Sequence, residues 1–237
     1  MGITHNLTSN CRSQSNHAGE FFRKLSAAAL QDIASLQFPS SYGANVVLFS
    51  EKDEAKGLFI VLEGEIKVSI NSSEGRRLSL SIARKGEILG LASALTGNEY
   101  DVTAETLYPT RVAHIGRSEF LNFLARHPES YKVVIEELSR QVTQGCDQLR
   151  TVGLAATAPE KLARLLLDWS DNGQPTDLGG ARFRFSMTHE EIGEFIGASR
   201  ETVTRTLSTF KTRRLVAFQG SMITIPSRTA LADYAHA

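Results

Sequence analysis

The sequence predicts an α+β protein that consists of a β-roll, one long helix and a small helical unit closed by a β-hairpin. Three observations carry this prediction: short β-branched segments between about residues 42 and 115, a regular apolar repeat over residues 131–152, and two adjacent helix signals near residue 197. We place the domain boundaries at residues 20–126, 127–157 and 158–237. Residues 1–19 are polar and are predicted to form a flexible N-terminal tail.

The composition is that of a globular protein with apolar cores, since 41% of the residues are hydrophobic and 22% are charged. The formal net charge is zero, so any attraction to nucleic acid must come from a local basic patch. Two cysteines are too few for a disulfide framework or a conventional iron–sulfur cluster, and the six scattered histidines show no metal or haem spacing. Without a secretory signal or a membrane-length apolar run, we expect a cytoplasmic protein with no membrane partner.

The N-terminal domain begins with a predicted short helix that carries Phe21 and Ile33, with Ser26 placed to cap its second turn. The β-branched segments that follow are separated by glycine-containing turns. They are predicted to form strands at residues 46–49, 58–62, 66–70, 78–82 and 112–115. Many short strands at regular spacing are typical of a jelly-roll-like β-roll.

The long helix, which enters at His127 and Pro128, has apolar positions separated by alternating steps of four and three residues. We call these positions the apolar stripe: Tyr131, Ile135, Leu138, Val142, Gly145, Leu149 and Val152. A stripe this narrow favours the pairing of two such helices in a parallel homodimer. The alternative is a helix that lies across its own β-domain.

Residues 188–225 carry consecutive signals for two helices and a hairpin. Thr188 and Glu191 form a capping box, Gly197 can end the first helix in the left-handed conformation, and Ser199 can cap the second helix. Gly193 is small where a second helix could cross closely. Two short helices joined by a glycine turn form a helix-turn-helix, and alternating residues at 215–225 predict a β-hairpin wing behind it.

The first turn of the second helix in such a motif places side chains against base edges in the DNA major groove. Here it offers Arg200, Glu201, Thr204 and Arg205. Arginine can donate two hydrogen bonds to guanine, and glutamate can accept one from the cytosine amino group. Residues 197–216 contain five basic residues and one acidic residue, which is a local basic patch. We therefore predict double-stranded DNA as the partner.

Three alternatives compete with DNA binding. The second helix could be an ordinary solvated helix, with Glu201 paired to Arg205. The motif could contact a protein in a ligand-sensing dimer. The chain could also be an enzyme on a cupin-like barrel, but His114 is the only histidine in the predicted strands, so we expect no enzyme.

Residues 188–205 resemble the helix-turn-helix of the catabolite activator/fumarate-nitrate regulator (CRP/FNR) family of transcription regulators. The resemblance includes GEIKV at residues 64–68, GEILG at residues 86–90 and the His127–Pro128 entry, and it covers roughly residues 20–230. It implies a cyclic-nucleotide-binding-type β-roll, a winged helix-turn-helix, a homodimer that binds an inverted repeat of TGTGA-like half-sites, and contact with RNA polymerase. Arg200, Glu201 and Arg205 match the family's base-reading positions. Positions that approach phosphates are matched by Thr188, Ser199 and Thr202.

The resemblance fails where the family's receptors bind cyclic AMP. In the tract after Gly90, Leu91 stands where a glutamate is expected, and Tyr100 and Asp101 replace an Arg-Ser pair. Because an aspartate repels a phosphate, we predict that cyclic AMP is not the effector and that no cofactor is bound. The protein could bind DNA without an effector, or it could bind a less anionic small molecule. The candidate pocket residues are Gly90, Leu91, Ala92, Tyr100, Asp101 and Cys146. Cys146 also raises a redox hypothesis, against the simpler interpretation of a small buried side chain.

Overall fold

The computed structural model describes residues 19–154, 157–171, 173–176, 179–185 and 187–236. The chain divides into two compact units, one up to Gly145 and one from Cys146 onward. The predicted tail at residues 1–19 lies outside the described residues except for Gly19. Within the described part of the chain, no helix is both long and apolar enough to cross a membrane.

The first unit contains eight strands and the helices that surround them. The strands are β1 (Phe38–Tyr42), β2 (Val47–Phe49), β3 (Gly57–Glu63), β4 (Ile66–Asn71), β5 (Arg77–Ala83), β6 (Ile88–Leu89), β7 (Thr103–Thr106) and β8 (Thr110–Gly116). The helices are α1 (Glu20–Lys24), α2 (Ala27–Ser35), α3 (Leu91–Thr96), α4 (Arg117–Arg126) and α5 (Ser130–Leu154), the last of which continues into the second unit. Two antiparallel sheets result, with strand orders β1-β8-β3-β6 and β2-β7-β4-β5.

Strand β3 shows how the sequence builds two cores. Its residues alternate between the two faces of the sheet, because successive side chains of a strand point in opposite directions. Leu58 and Ile60 belong to a cluster with helices α1 to α5. Val61 belongs to a second cluster with residues of the other sheet, including Ile66 and Ala104. The strand is therefore apolar on both faces.

All five predicted strands of the β-roll are confirmed, but β1, β6, β7, α3 and α4 were not predicted. The N-terminal helical segment is two helices, and Ser26 caps the second of them by accepting a hydrogen bond from the Ala29 amide at 3.2 Å. The long helix starts at Ser130, because His127 and Pro128 form a turn in which their carbonyls accept from the amides of Ser130 and Tyr131.

The second unit contains the C-terminal part of α5 and three further helices, α6 (Ala158–Ser170), α7 (His189–Ile196) and α8 (Arg200–Thr212), followed by α9 (Arg228–His236). Its strands are β9 (Gln174–Pro175), β10 (Ala181–Arg184), β11 (Ala217–Gln219) and β12 (Met222–Ile225), in the order β11-β12-β10-β9. The apolar spacing of residues 161–169 predicts an amphipathic helix, and this helix is confirmed as α6. The predicted hairpin is confirmed as β11 and β12.

Candidate nucleic-acid interface

The two predicted helices near residue 197 form with the predicted end groups. The Thr188 hydroxyl accepts from the Glu191 amide at 3.2 Å, and the Glu191 carboxylate accepts from the Thr188 amide at 2.8 Å, which completes the capping box. Gly197 ends α7 with φ of 63° and ψ of 41°, in the left-handed region. Ser199 then caps α8 by accepting from the Thr202 amide at 3.3 Å. The turn between the helices is thus fixed at both ends.

Gly193 is required by the turn rather than by a crossing helix. A Cβ atom at this position would lie 2.4 Å from the carbonyl oxygen of Ala198, which real Cβ atoms essentially never do. The Ala198 amide in turn donates to the Gly193 carbonyl at 3.0 Å. The predicted close approach at Gly193 is confirmed, but the neighbour is the backbone of Ala198 in the turn and not a second helix.

The second helix, α8, separates its buried and exposed sides as an amphipathic helix should. Val203, Leu207 and Phe210 are buried, as predicted. Trp169, on the predicted apolar face of α6, meets Phe195 edge to face, with 5.2 Å between the ring centroids. The packed side of α8 fixes which of its residues face away from the protein.

The predicted base-reading residues all lie on the outer side of α8: Arg200, Glu201, Thr204 and Arg205 are exposed. The pKa of Glu201 is held below its usual value by hydrogen bonding to its own backbone amide, then by the Ser199 side chain and the charge of Arg200. The carboxylate is therefore an ionised acceptor at neutral pH. Among the ion pairs of the described residues, none joins Glu201 to Arg205, so the alternative of an ordinary Glu201–Arg205 pair is not observed.

The candidate phosphate contacts lie at the N-termini of the two helices. Thr188 and Ser199 are exposed, and Thr202 is half-buried beside Ser199, whose hydroxyl lies 3.2 Å from the Thr202 hydroxyl. Helix N-termini carry partial positive charge and unpaired amides, which favours an anion. The geometry is compatible with phosphate contacts there.

The C-terminus of α8 presents two further arginines. The amide of Leu215 donates to the Phe210 carbonyl at 2.9 Å and that of Arg214 to the Lys211 carbonyl at 3.0 Å, which is a Schellman motif. Arg214 occupies its left-handed position with φ of 57°, where glycine is usual. The Arg213 guanidinium lies 5.1 Å from the centroid of the Tyr234 ring. Both arginines are exposed.

The apolar stripe of α5 is largely uncovered in the single chain. Tyr131, Ile135, Val142 and Leu149 are 47%, 64%, 67% and 63% exposed. The side of α5 that faces the β-roll is formed instead by Val133 and Val134, which are buried in the first core, with Leu138 packed against it. Gly145 and Val152 are half-buried. The helix therefore lies on its own β-roll and still leaves most of the stripe free.

A cavity of about 180 Å³ lies between α5 and strands β4 and β5 within the first unit. Arg140 is the one cation that lines it among the described residues. Its guanidinium binds the Glu137 carboxylate twice, at 2.6 and 2.9 Å, and Glu87 at 3.1 Å. These hydrogen bonds, that to Glu137 above all, raise the pKa of Arg140 above its usual value. The cation is thus already paired within the protein.

Of the predicted pocket residues, the structure places only Gly90 at this cavity. Leu91 is buried in the hydrophobic core, and the Tyr100 hydroxyl donates to the Gly57 carbonyl at 2.7 Å while its ring stacks on Phe49. Ala92 is exposed.

Asp101 and Cys146 are exposed as well, so the interpretation of Cys146 as a buried side chain is wrong. The cavity beside Arg140, which is also lined by Gln141 and Gln144, is a different place from the predicted effector pocket and shares only Gly90 with it. No group of three or more histidine, cysteine or acidic side chains that could hold a metal occurs in the described part of the chain.

Comparison with known proteins agrees with this geometry. A cyclic nucleotide-binding domain model matches residues 39–127, and a Crp-like helix-turn-helix domain model matches residues 160–234. The chain is 24% identical over 206 residues to the CRP-like cAMP-activated global transcriptional regulator of Mycobacterium tuberculosis, covering 87% of this chain and 90% of that protein. It is 27% identical over 175 residues to the transcriptional activatory protein AadR of Rhodopseudomonas palustris, covering 74% and 72%.

Among solved structures, FixK2 from Bradyrhizobium japonicum superposes with a TM-score of 0.74 at 23% identity, over 84% of this chain and 96% of that one. Fold, helix-turn-helix and matched domains together define a DNA-binding transcription regulator with a cyclic nucleotide-binding domain. The chain belongs to the CRP/FNR family. The matched relatives are transcription regulators rather than enzymes.

Proposed function

We propose that this regulator acts in the cytoplasm as a homodimer, binds an inverted repeat of TGTGA-like half-sites, and controls transcription through contact with RNA polymerase without requiring cyclic AMP. The observation that carries the proposal is the exposed face of α8. It combines two arginines, an ionised glutamate and a threonine hydroxyl at the N-terminal end of the second helix. Family membership supports the half-site and the polymerase contact.

The apolar stripe supports the homodimer. A parallel pair of α5 helices would cover side chains such as Ile135 and Val142, which are about two-thirds exposed in the single chain. A two-fold dimer also matches an inverted repeat, because each subunit then presents an identical α8 to one half-site.

The paired state of Arg140 supports independence from cyclic AMP. The Arg140 guanidinium links the β-roll residue Glu87 to Glu137 of helix α5. One cation thus already pairs with two carboxylates, so the charge beside the cavity does not favour an anionic cyclic phosphate. The cavity of about 180 Å³ is also smaller than typical ligand pockets of about 300–1,000 Å³. The relative from M. tuberculosis is cAMP-activated by its name, so this chain would differ from it in control.

The proposal is tested by fluorescence anisotropy with a labelled TGTGA inverted repeat and a scrambled duplex, with and without cyclic AMP. We expect specific binding that cyclic AMP leaves unchanged. Arg200→Ala should weaken binding to the repeat by about 5- to 150-fold, since a bidentate arginine–guanine contact is worth about 1–3 kcal/mol. Arg150→Ala is the matched control, because it removes the same charge from an exposed pair with Asp147 outside the motif.

Equal affinity for the repeat and the scrambled duplex would contradict the proposed half-site. A tenfold or larger gain on addition of cyclic AMP would contradict effector independence.

A further inference from the structure

His189, the first residue of α7, contacts a residue of the neighbouring helix α8. Its Nδ1 atom lies 2.7 Å from the hydroxyl oxygen of Thr204. Fifteen residues separate the two in sequence, and Thr204 stands on the exposed face of α8 between Arg200 and Arg205. His189 thus connects the first turn of α7 to the exposed face of α8.

The direction of this hydrogen bond follows from the second bond that the hydroxyl makes. The Thr204 hydroxyl donates to the backbone carbonyl of Arg200 at 2.9 Å. A hydroxyl has one hydrogen and two acceptor positions, and a carbonyl can only accept. With its hydrogen used on the Arg200 carbonyl, the Thr204 oxygen accepts from His189, so Nδ1 of the imidazole carries a proton.

Both bonds together fix the polarity of the Thr204 side chain. Its hydrogen is occupied, one acceptor position is filled by His189, and one acceptor position remains. A free threonine could pair with either kind of base edge, because it can donate or accept. The held threonine can only accept.

We propose that His189 is a positioning residue for sequence recognition: it holds Thr204 as an acceptor and so selects a base that presents an amino group, adenine or cytosine, at the base pair that Thr204 faces. In the major groove adenine N6 and cytosine N4 donate, whereas guanine O6 and thymine O4 accept. The inference rests on the proposed function, since it requires α8 to lie in the major groove.

The experiment is an in vitro selection from random duplex DNA, carried out with the full-length wild-type protein and three variants. Thr204→Val removes the hydroxyl at nearly constant shape and identifies the base pair concerned. His189→Leu removes the donor, and His189→Asn keeps an N–H donor at a similar distance from the backbone. The purified variants are first compared with wild type by circular dichroism.

We expect the wild type to prefer adenine or cytosine at one position of each half-site, and Thr204→Val to lose that preference. His189→Leu should reduce the preference at the same position by about three- to tenfold, the worth of one hydrogen bond, and leave the other positions unchanged. His189→Asn should retain it.

The inference is overturned if His189→Leu leaves that position unchanged, if it weakens all sites equally, or if Thr204→Val alters no position. Recovery of no specific site by the wild type is a different result. It would remove the proposed function itself.

Discussion

Truncation of Ile135 on the apolar stripe should weaken the homodimer without unfolding the subunit. Ile135 is 64% exposed in the single chain, so it contributes little to the stability of its own subunit. Complete burial of such a side chain is worth about 1.5–3 kcal/mol, and the part still exposed therefore offers about 1–2 kcal/mol per chain. A symmetric dimer buries two copies, which gives about 2–4 kcal/mol per dimer.

Ile135→Ala retains part of this area, so we expect a loss of about 1.5–3 kcal/mol, or about 10- to 100-fold in the dimer dissociation constant. Sedimentation equilibrium over a wide concentration range measures it directly. Lys132→Ala, an exposed change on the same helix outside the stripe, is the control and should leave the constant within about twofold. Thermal unfolding at concentrations where both proteins are monomeric should be the same for both.

Dissociation constants that agree for Ile135→Ala and wild type would refute the reasoning. So would a wild-type protein that stays monomeric at all accessible concentrations. The stripe would then be covered by something other than a second copy.

Three further changes test other parts of the account. Gly193→Ala should destabilise the second unit by about 1–3 kcal/mol in thermal unfolding, because the added Cβ meets a carbonyl oxygen. Gly153→Ala, which has open space around it, is the control and should not destabilise the unit. Equal melting temperatures for the two variants would contradict the clash. Arg214→Gly should stabilise the same unit by about 1 kcal/mol, because glycine adopts the left-handed backbone conformation without strain. The same change should weaken DNA binding on all sequences alike, because it removes a positive charge. A loss of stability would contradict the expected relief of strain. Burial lowers the pKa of His114 in the folded protein, so the unfolded chain takes up the proton first. The stability of the first unit should therefore fall as the pH drops below about 6.5. His114→Phe should make stability less dependent on pH in unfolding curves measured between pH 7 and 5.

The parts of the fold that follow from neighbouring residues were readable from the sequence. The capping box of Thr188 and Glu191, the left-handed Gly197 and the cap at Ser199 each depend on residues at most three positions apart. The exposed face of α8 follows from its apolar period. The exposed face of α8 could therefore be predicted residue by residue.

The placement of the pocket residues could not be predicted in this way. Tyr100 lies within the hydrophobic core because its hydroxyl donates a hydrogen bond to the carbonyl of Gly57, 43 residues away in sequence. Its ring also packs against Gly90. Arg140 forms an ion pair with Glu87, which is 53 residues away in sequence, and no local sequence pattern predicts this contact. Contacts of this range depend on how the strands and α5 pack together.

The contact between His189 and Thr204 could be predicted only in part, unlike the helix caps, which could be predicted fully, and the pocket residues, which could not. The sequence places His189 at the first position of one helix and Thr204 on the outer face of the next. Their meeting depends on the crossing of the two helices, which is set by the turn at residues 197–199 that packs closely against Gly193. The helix-turn-helix motif alone suggests that the two residues are near each other, but only the structure gives the 2.7 Å contact. The direction of the hydrogen bond is inferred from the second bond of the Thr204 hydroxyl, to the Arg200 carbonyl.

The measurement that tests the central claim most directly is the sequence recovered from random duplex DNA by the purified, ligand-free wild-type protein. We expect an inverted repeat with TGTGA-like half-sites at a spacing that fits a two-fold dimer. It should be recovered equally well with and without cyclic AMP. Recovery of no preferred sequence under either condition would contradict the assignment of Arg200, Glu201 and Arg205 as base-reading residues. Recovery only with cyclic AMP present would contradict the control mechanism inferred from Arg140.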